Sequence, residues 1–182
     1  MDNKTRFMNI MKSINRAGVS EFLNWLETTD FFIAPASTRF HGAYEGGLLE
    51  HSLNVYYELL PHTDPETAAI CGLLHDVCKA DIYHQSFRNV KNEETGKWER
   101  VPCYTKRDPF PYGHGEKSVY LIMKHIPLTD REAMAIRFHM GFTDSIARDS
   151  LSYVSEAFAY DPLVYEVHAA DMRASLKEDV AK

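Results

Sequence analysis

The sequence predicts an all-α fold carrying one small β-hairpin insert. Three observations predict it: apolar residues recur at helical spacing along most of the chain, three explicit helix-start signals precede such runs, and only residues 84–112 break the pattern. With 182 residues, one domain spanning 1–182 is expected, its N-terminal helices lying within residues 1–30.

Phe7, Ile10, Met11 and Ile14 stand at i, i+3, i+4 and i+7, which marks an amphipathic first helix expected to stop near Ala17-Gly18. A second short helix follows from Ser20. From Glu45 onward Leu48, Ser52, Val55, Tyr56 and Leu59 keep the helical period until Pro61 ends it. Asp64 as N-cap, Pro65 at the first helical position and Glu66 in the first turn open a helix through Leu74. Being apolar all round, that helix should be central. Phe87-Arg88-Asn89-Val90 and Trp98-Glu99-Arg100-Val101 flank a polar turn from Asn92 to Gly96, the pattern of a hairpin. Helices resume near Gly113 and run to about His125. Thr129 and Glu132 form a capping box whose helix is expected to end at Gly141. A helix from about Leu151 to Phe158 follows, and Asp161-Pro162 starts a last one expected to reach about Leu176.

Hydrophobic residues make up 45% and charged residues 25%, which excludes a disordered, collagen-like or disulfide-rich chain. A net charge of -6, from 20 Lys+Arg and 26 Asp+Glu, disfavours nucleic acid as an indiscriminate partner. No run approaches the roughly 20 apolar residues of a membrane span, so no membrane partner is expected. Met1 to Arg6 lead into no apolar signal core, which makes the cytoplasm the expected location. Cys71, Cys78 and Cys103 lack C-x-x-C spacing and read as reduced, buried thiols. There is no P-loop, no G-x-S-x-G elbow and no H-E-x-x-H helix.

Nine histidines draw attention to metal or acid-base chemistry. On the last helix Val164, Val167, His168 and Asp171 share a face, which aims an aspartate at the core unless the helix is rotated to put it in solvent. Burying an unpaired carboxylate costs several kcal/mol, so Asp171 must then be paired, protonated or coordinating. His75-Asp76 ends the most apolar helix, and His51 edges the apolar stripe of another. All four are accommodated if His51, His75, Asp76 and Asp171 converge on one divalent cation. Mixed nitrogen and oxygen donors suit Mn, Fe, Co, Ni or Zn, with Mg also accommodated if water completes its shell. Successive helical residues diverge by about 100°, so His75 and Asp76 can share a cation only where their helix ends against others.

In order and context these residues resemble the HD superfamily of metal-dependent phosphohydrolases, whose signature is a His, a His-Asp doublet and a distant Asp. The segments Phe32 to Ala36, His41 to Ser52, Leu73 to Lys79, Gly113 to Ser118, Arg137 to Gly141 and His168 to Met172 are similar to the HD domain of bacterial 3′-to-5′ exoribonucleases. Over about residues 31–176 the resemblance implies an all-α bundle of five or more helices around the metal, and hydrolysis of a phosphoester by a water that the cation activates. It further implies a second cation at His114 and His139, with Asp76 the natural bridge.

Beside these ligands, Lys79 is placed to reach a phosphate oxygen, and His41, Lys117 and Arg137 are candidate substrate contacts. The chain departs from the pattern at Cys78, where a glycine is usual, at Met140, where some relatives have histidine, and in lacking the OB-fold of those exoribonucleases. The expected activity is cleavage of a nucleotide or similar small phosphorylated substrate. Two alternatives stand beside it: a catalytically silent, metal-stabilised binding or signalling module, and a 3′-end exonuclease on short single strands. For the latter, residues 84–110 carry six Lys+Arg against four Asp+Glu, an excess that could steer a polyanion.

Overall fold

Asp64, Pro65 and Glu66 begin the central helix as their chemistry dictates: the Asp64 carboxylate accepts the Thr67 backbone N–H at 2.9 Å, and proline occupies a position that needs no donor. In the computed structural model, which describes residues 1–40, 42–144 and 151–180, this helix (α4, Pro65–Leu74) is buried at every position from Thr67 to Leu74. Around it stand α1 (Asn3–Lys12), α2 (Val19–Leu26), α3 (Gly47–Leu59), α5 (His114–Met123), α6 (Asp130–Arg137), α7 (Leu151–Tyr160) and α8 (Pro162–Val180). Short 3-10 turns cover Leu60–His62, Val77–Lys79 and Gly141–Thr143.

The chain is thus mostly helical, with one two-stranded antiparallel hairpin. A connected set of buried apolar side chains runs from Phe7 and Met11 through α3 and α4 to Val164, Val167 and Ala174. α3 packs against both α4 and α8, and α6 against α8. The α3–α4 contact is unusually close because Gly72 has no side chain: a Cβ there would lie 2.6 Å from the Tyr56 Cα. That approach is what sets the histidine of α3 beside the end of α4.

In the hairpin, β1 (Tyr83–Lys91) pairs with β2 (Trp98–Lys106) in a register from Tyr83↔Lys106 to Lys91↔Trp98. Asn92 Oδ1 accepts the backbone N–H groups of Glu94 and Thr95, each at 3.0 Å, and closes the turn. The strands pair chiefly with each other, and Phe87 and Trp98 stay exposed. No helix among the described residues is long and apolar enough to cross a membrane.

Three boundaries differ from the sequence expectation. The first helix ends at Lys12, with Ser13 bonding back to the last carbonyls, and Gly18 opens α2 instead of closing α1. The capping-box helix ends at Arg137 and not at Gly141, because the His139 Nδ1–H takes the Ile136 carbonyl and the chain turns there. The last helix continues past Leu176 to Val180, since neither glycine nor proline interrupts it and Arg173 and Lys177 are anchored on Glu58.

Candidate metal centre

The six donors reach the centre from five separate stretches of the bundle. α3 supplies His51, which is fully buried. The end of α4 supplies His75 as its C-cap, and Asp76 then leaves helical geometry at φ -106°, ψ 16°. The break between the two residues lets both side chains point one way. His114 opens α5, His139 lies in the turn after α6, and Asp171 projects from α8.

The imidazoles are aimed by their second nitrogens. His75 Nδ1 donates to the Gly72 carbonyl at 2.9 Å and His139 Nδ1 to the Ile136 carbonyl at 2.7 Å. A carbonyl only accepts, so both Nδ1 atoms carry the proton and both Nε2 atoms present lone pairs inward. His114 Nδ1 lies 3.3 Å from the Cys78 thiol. Ring centroids run 5.3 Å from His51 to His75, 4.9 Å on to His139 and 5.0 Å on to His114.

Asp76 divides this row in two. Its Oδ2 lies 3.4 Å from His75 Nε2 and 3.7 Å from His51 Nε2, while its Oδ1 lies 2.9 Å from His114 Nε2 and 3.6 Å from His139 Nε2. Asp171 Oδ1 closes the first half at 3.1 Å from His51 Nε2 and 4.0 Å from His75 Nε2. Three sets bring their ligand atoms within 4.8 Å of one another: His51, His75 and Asp171; His75, Asp76 and His139; Asp76, Cys78 and His114.

The Nε2 atoms of His75, His114 and His139 and the Oδ1 of Asp76 are buried yet make no hydrogen bond. Each unsatisfied buried group costs about 1–3 kcal/mol, and four at one spot are relieved together by a cation that accepts their lone pairs.

The electrostatics of the chain itself are consistent with such a centre. Burial works to raise the Asp76 carboxyl, but Lys79, His75, His114 and His139 hold it well below the usual range. Asp171 is likewise held low against burial by His51, His75 and His139. Burial opposes the charged form of His51, yet Asp171, Glu178 and Asp76 raise it to about 9. His114, more exposed to burial than to charge, is lowered, and burial pushes the Cys78 thiol up to about 12, which makes it a poor nucleophile.

All six proposed ligands therefore meet. Lys79 Nζ lies 2.6 Å from Asp76 Oδ2 and lines the same cleft, of about 220 Å³, as His139, Met140 and Asp171. Lys117 and Arg137 are differently employed: Lys117 is buried against Asp108 at 2.7 Å, and Arg137 is held by Glu116 and by Asp144 at 2.9 Å. Neither lines the cleft beside Asp76. His41 lies outside the described residues.

Of two further participants, the sequence places His168 one turn before Asp171 as either a supporting partner or plain core, and it does not single out Glu178. His168 donates from Nδ1 to the His139 carbonyl at 2.7 Å, so it braces the turn that carries a ligand. Gly141, at φ +53°, makes room for it, because a Cβ there would lie 2.6 Å from the His168 ring. Glu178 reaches His51 from two turns beyond Asp171; the i+7 spacing was visible, but only to a reading that continued the helix that far. The chain matches no family model, no curated protein and no solved structure. What is established by its own geometry is that several His, Asp and Cys groups lie close enough to hold a metal ion.

Proposed function

We propose that the chain is a metal-dependent phosphohydrolase of HD type, cleaving a phosphoester of a nucleotide or similar small phosphorylated substrate. The observation that carries this reading is the set of buried, unbonded Nε2 and Oδ1 atoms gathered together, of which those of Asp76 and His139 belong to residues lining an open cleft with Lys79. A bound divalent cation lowers the pKa of water to about 7 and polarises a phosphoryl oxygen. His51, His75, Asp76 and Asp171 would hold one cation, and His114 and His139 together with Asp76 a second. Four imidazoles with two carboxylates favour Mn, Fe, Co, Ni or Zn over Mg.

Lys79 contributes a fixed positive charge: its Nζ is raised well above the ordinary lysine range by Asp76 despite burial, so it stays cationic at neutral pH. At the rim of the cleft it offsets negative charge building on a phosphoryl group. The cleft, about 220 Å³, is smaller than the roughly 300–1,000 Å³ that encloses a drug-sized ligand. It suits a phosphoryl group, with the rest of the substrate held outside.

Metal analysis of the purified protein should find bound divalent metal. Bis-p-nitrophenyl phosphate, nucleoside monophosphates and cyclic nucleotides assayed with Mn, Ni, Co and Mg should show turnover that chelation removes and metal restores. Bound metal without turnover on any of these would instead favour a silent binding module.

A further inference from the structure

His51 is gripped on both ring nitrogens by carboxylates of one helix. Asp171 Oδ1 lies 3.1 Å from Nε2, and Glu178 Oε1 lies 3.2 Å from Nδ1. The two acids stand seven residues apart on α8, two turns along the same face, so the imidazole of α3 fits between them. Only 6% of the Glu178 side chain is exposed, and Asn54, one turn after His51 on α3, donates to the same Oε1 at 2.8 Å. The amide fixes the carboxylate in place while the imidazole approaches it.

The arrangement bears on a choice that His75 and His139 do not face. A neutral imidazole carries one N–H, and at His75 and His139 a backbone carbonyl claims it. His51 has a carboxylate on either side. If the proton sits on Nε2 it bonds Asp171, and both side chains are spent on each other. With the proton on Nδ1 it bonds Glu178, and Nε2 and Asp171 both offer lone pairs to the cluster.

We propose that Glu178 is a positioning residue that holds the His51 proton on Nδ1 and so keeps Nε2 and Asp171 available to a divalent cation. The inference rests on the metal-centre reading above and adds a seventh residue to it, one that touches neither cation nor substrate. Carboxylates bonded to the far nitrogen of a ligating histidine fix the tautomer and strengthen the donor, and their loss typically weakens metal affinity about 10- to 100-fold.

The test compares wild type, E178A and E178Q for Mn²⁺ binding by titration calorimetry, with 15N NMR of the His51 ring in metal-free protein at pH 10, where the ring is neutral and carries a single N–H. Far-UV circular dichroism checks that each variant is folded. Expected are an Nδ1–H signal for His51 in wild type, Mn²⁺ affinity reduced about 10- to 100-fold in E178A with the proton moved to Nε2, and an intermediate loss in E178Q, whose amide oxygen still accepts from Nδ1–H. Unchanged Mn²⁺ affinity in folded E178A, or an Nε2–H tautomer in wild type, overturns the role of Glu178 and leaves the metal-centre reading standing. A wild type that binds no Mn²⁺, Ni²⁺, Co²⁺ or Zn²⁺ overturns both.

Discussion

Asp76 Oδ1 and His114 Nε2 lie 2.9 Å apart in the interior, and neither atom completes a hydrogen bond. The packing of the 3-10 turn Val77–Lys79 against α5 brings the two together. Because the same carboxylate faces His51 and His75 through Oδ2, Asp76 is the one donor common to both halves of the centre.

Replacing Asp76 by Ala should therefore remove all bound metal, and with it several kcal/mol of transition-state stabilisation, a fall of about 10³-fold or more in kcat/KM. Elemental analysis and phosphodiester hydrolysis, each run on D76A and on the better-folding D76N, check this. Metal retained at the wild-type ratio in both variants would remove Asp76 from the assignment.

His114→Ala should be milder. His51, His75 and Asp171 do not depend on it, so the first cation stays and the second is lost. The metal-to-protein ratio should fall by one per chain, with the tightest binding step in calorimetry unchanged.

Gly141→Ala forces a side chain into a left-handed backbone at φ +53° and against the His168 ring. A cost of about 1–3 kcal/mol is expected in denaturant unfolding. Because His168 braces the His139 carbonyl, weaker metal binding should accompany the loss, whereas a purely structural defect would leave affinity unchanged in the folded fraction.

Far from the cleft, Arg16 bonds Glu132 at 2.7 Å and Glu66 at 2.6 Å, tying the α1–α2 connection to α6 and α4. Burial raises the Glu132 carboxyl, but Arg16 and Thr129 outweigh it and depress the folded value. A depressed carboxyl stabilises above its ordinary value near 4.5 and loses that contribution as pH falls through the folded value. Arg16→Ala should cost about 3 kcal/mol at pH 7, the low end for a broken buried pair, because Thr129 still donates to Glu132. Thermal melts at pH 7 and pH 3 should show the difference from wild type shrinking at the acid end.

Saturating metal should raise the melting temperature of wild type, since an ion that binds only the folded chain adds about 2.7 kcal/mol at 100 times its Kd. The same titration on D76A should produce no shift.

Local chemistry was legible in the residues themselves. Asp64-Pro65-Glu66 and Thr129 with Glu132 open helices where their hydrogen-bonding groups demand it, and Asn92 to Gly96 closes the hairpin. Asp171 on an apolar face, and a His-Asp pair ending the most apolar helix, announced buried polar groups in need of a partner, because such burial is too costly to leave uncompensated. Where these groups would meet was another matter. The distance from α3 to α4 follows from Gly72 lying on the Tyr56 backbone, the common aim of His75 and Asp76 from the helix ending between them, and the pairing of Lys117 with Asp108 and Arg137 with Asp144 from the course of the loop before α5 and of the turn after α6. Sequence periodicity reports which side of a helix avoids water, a property of neighbours three and four residues apart. Which donors share a point in space depends on how whole helices end and cross, and that was decided only when the bundle packed.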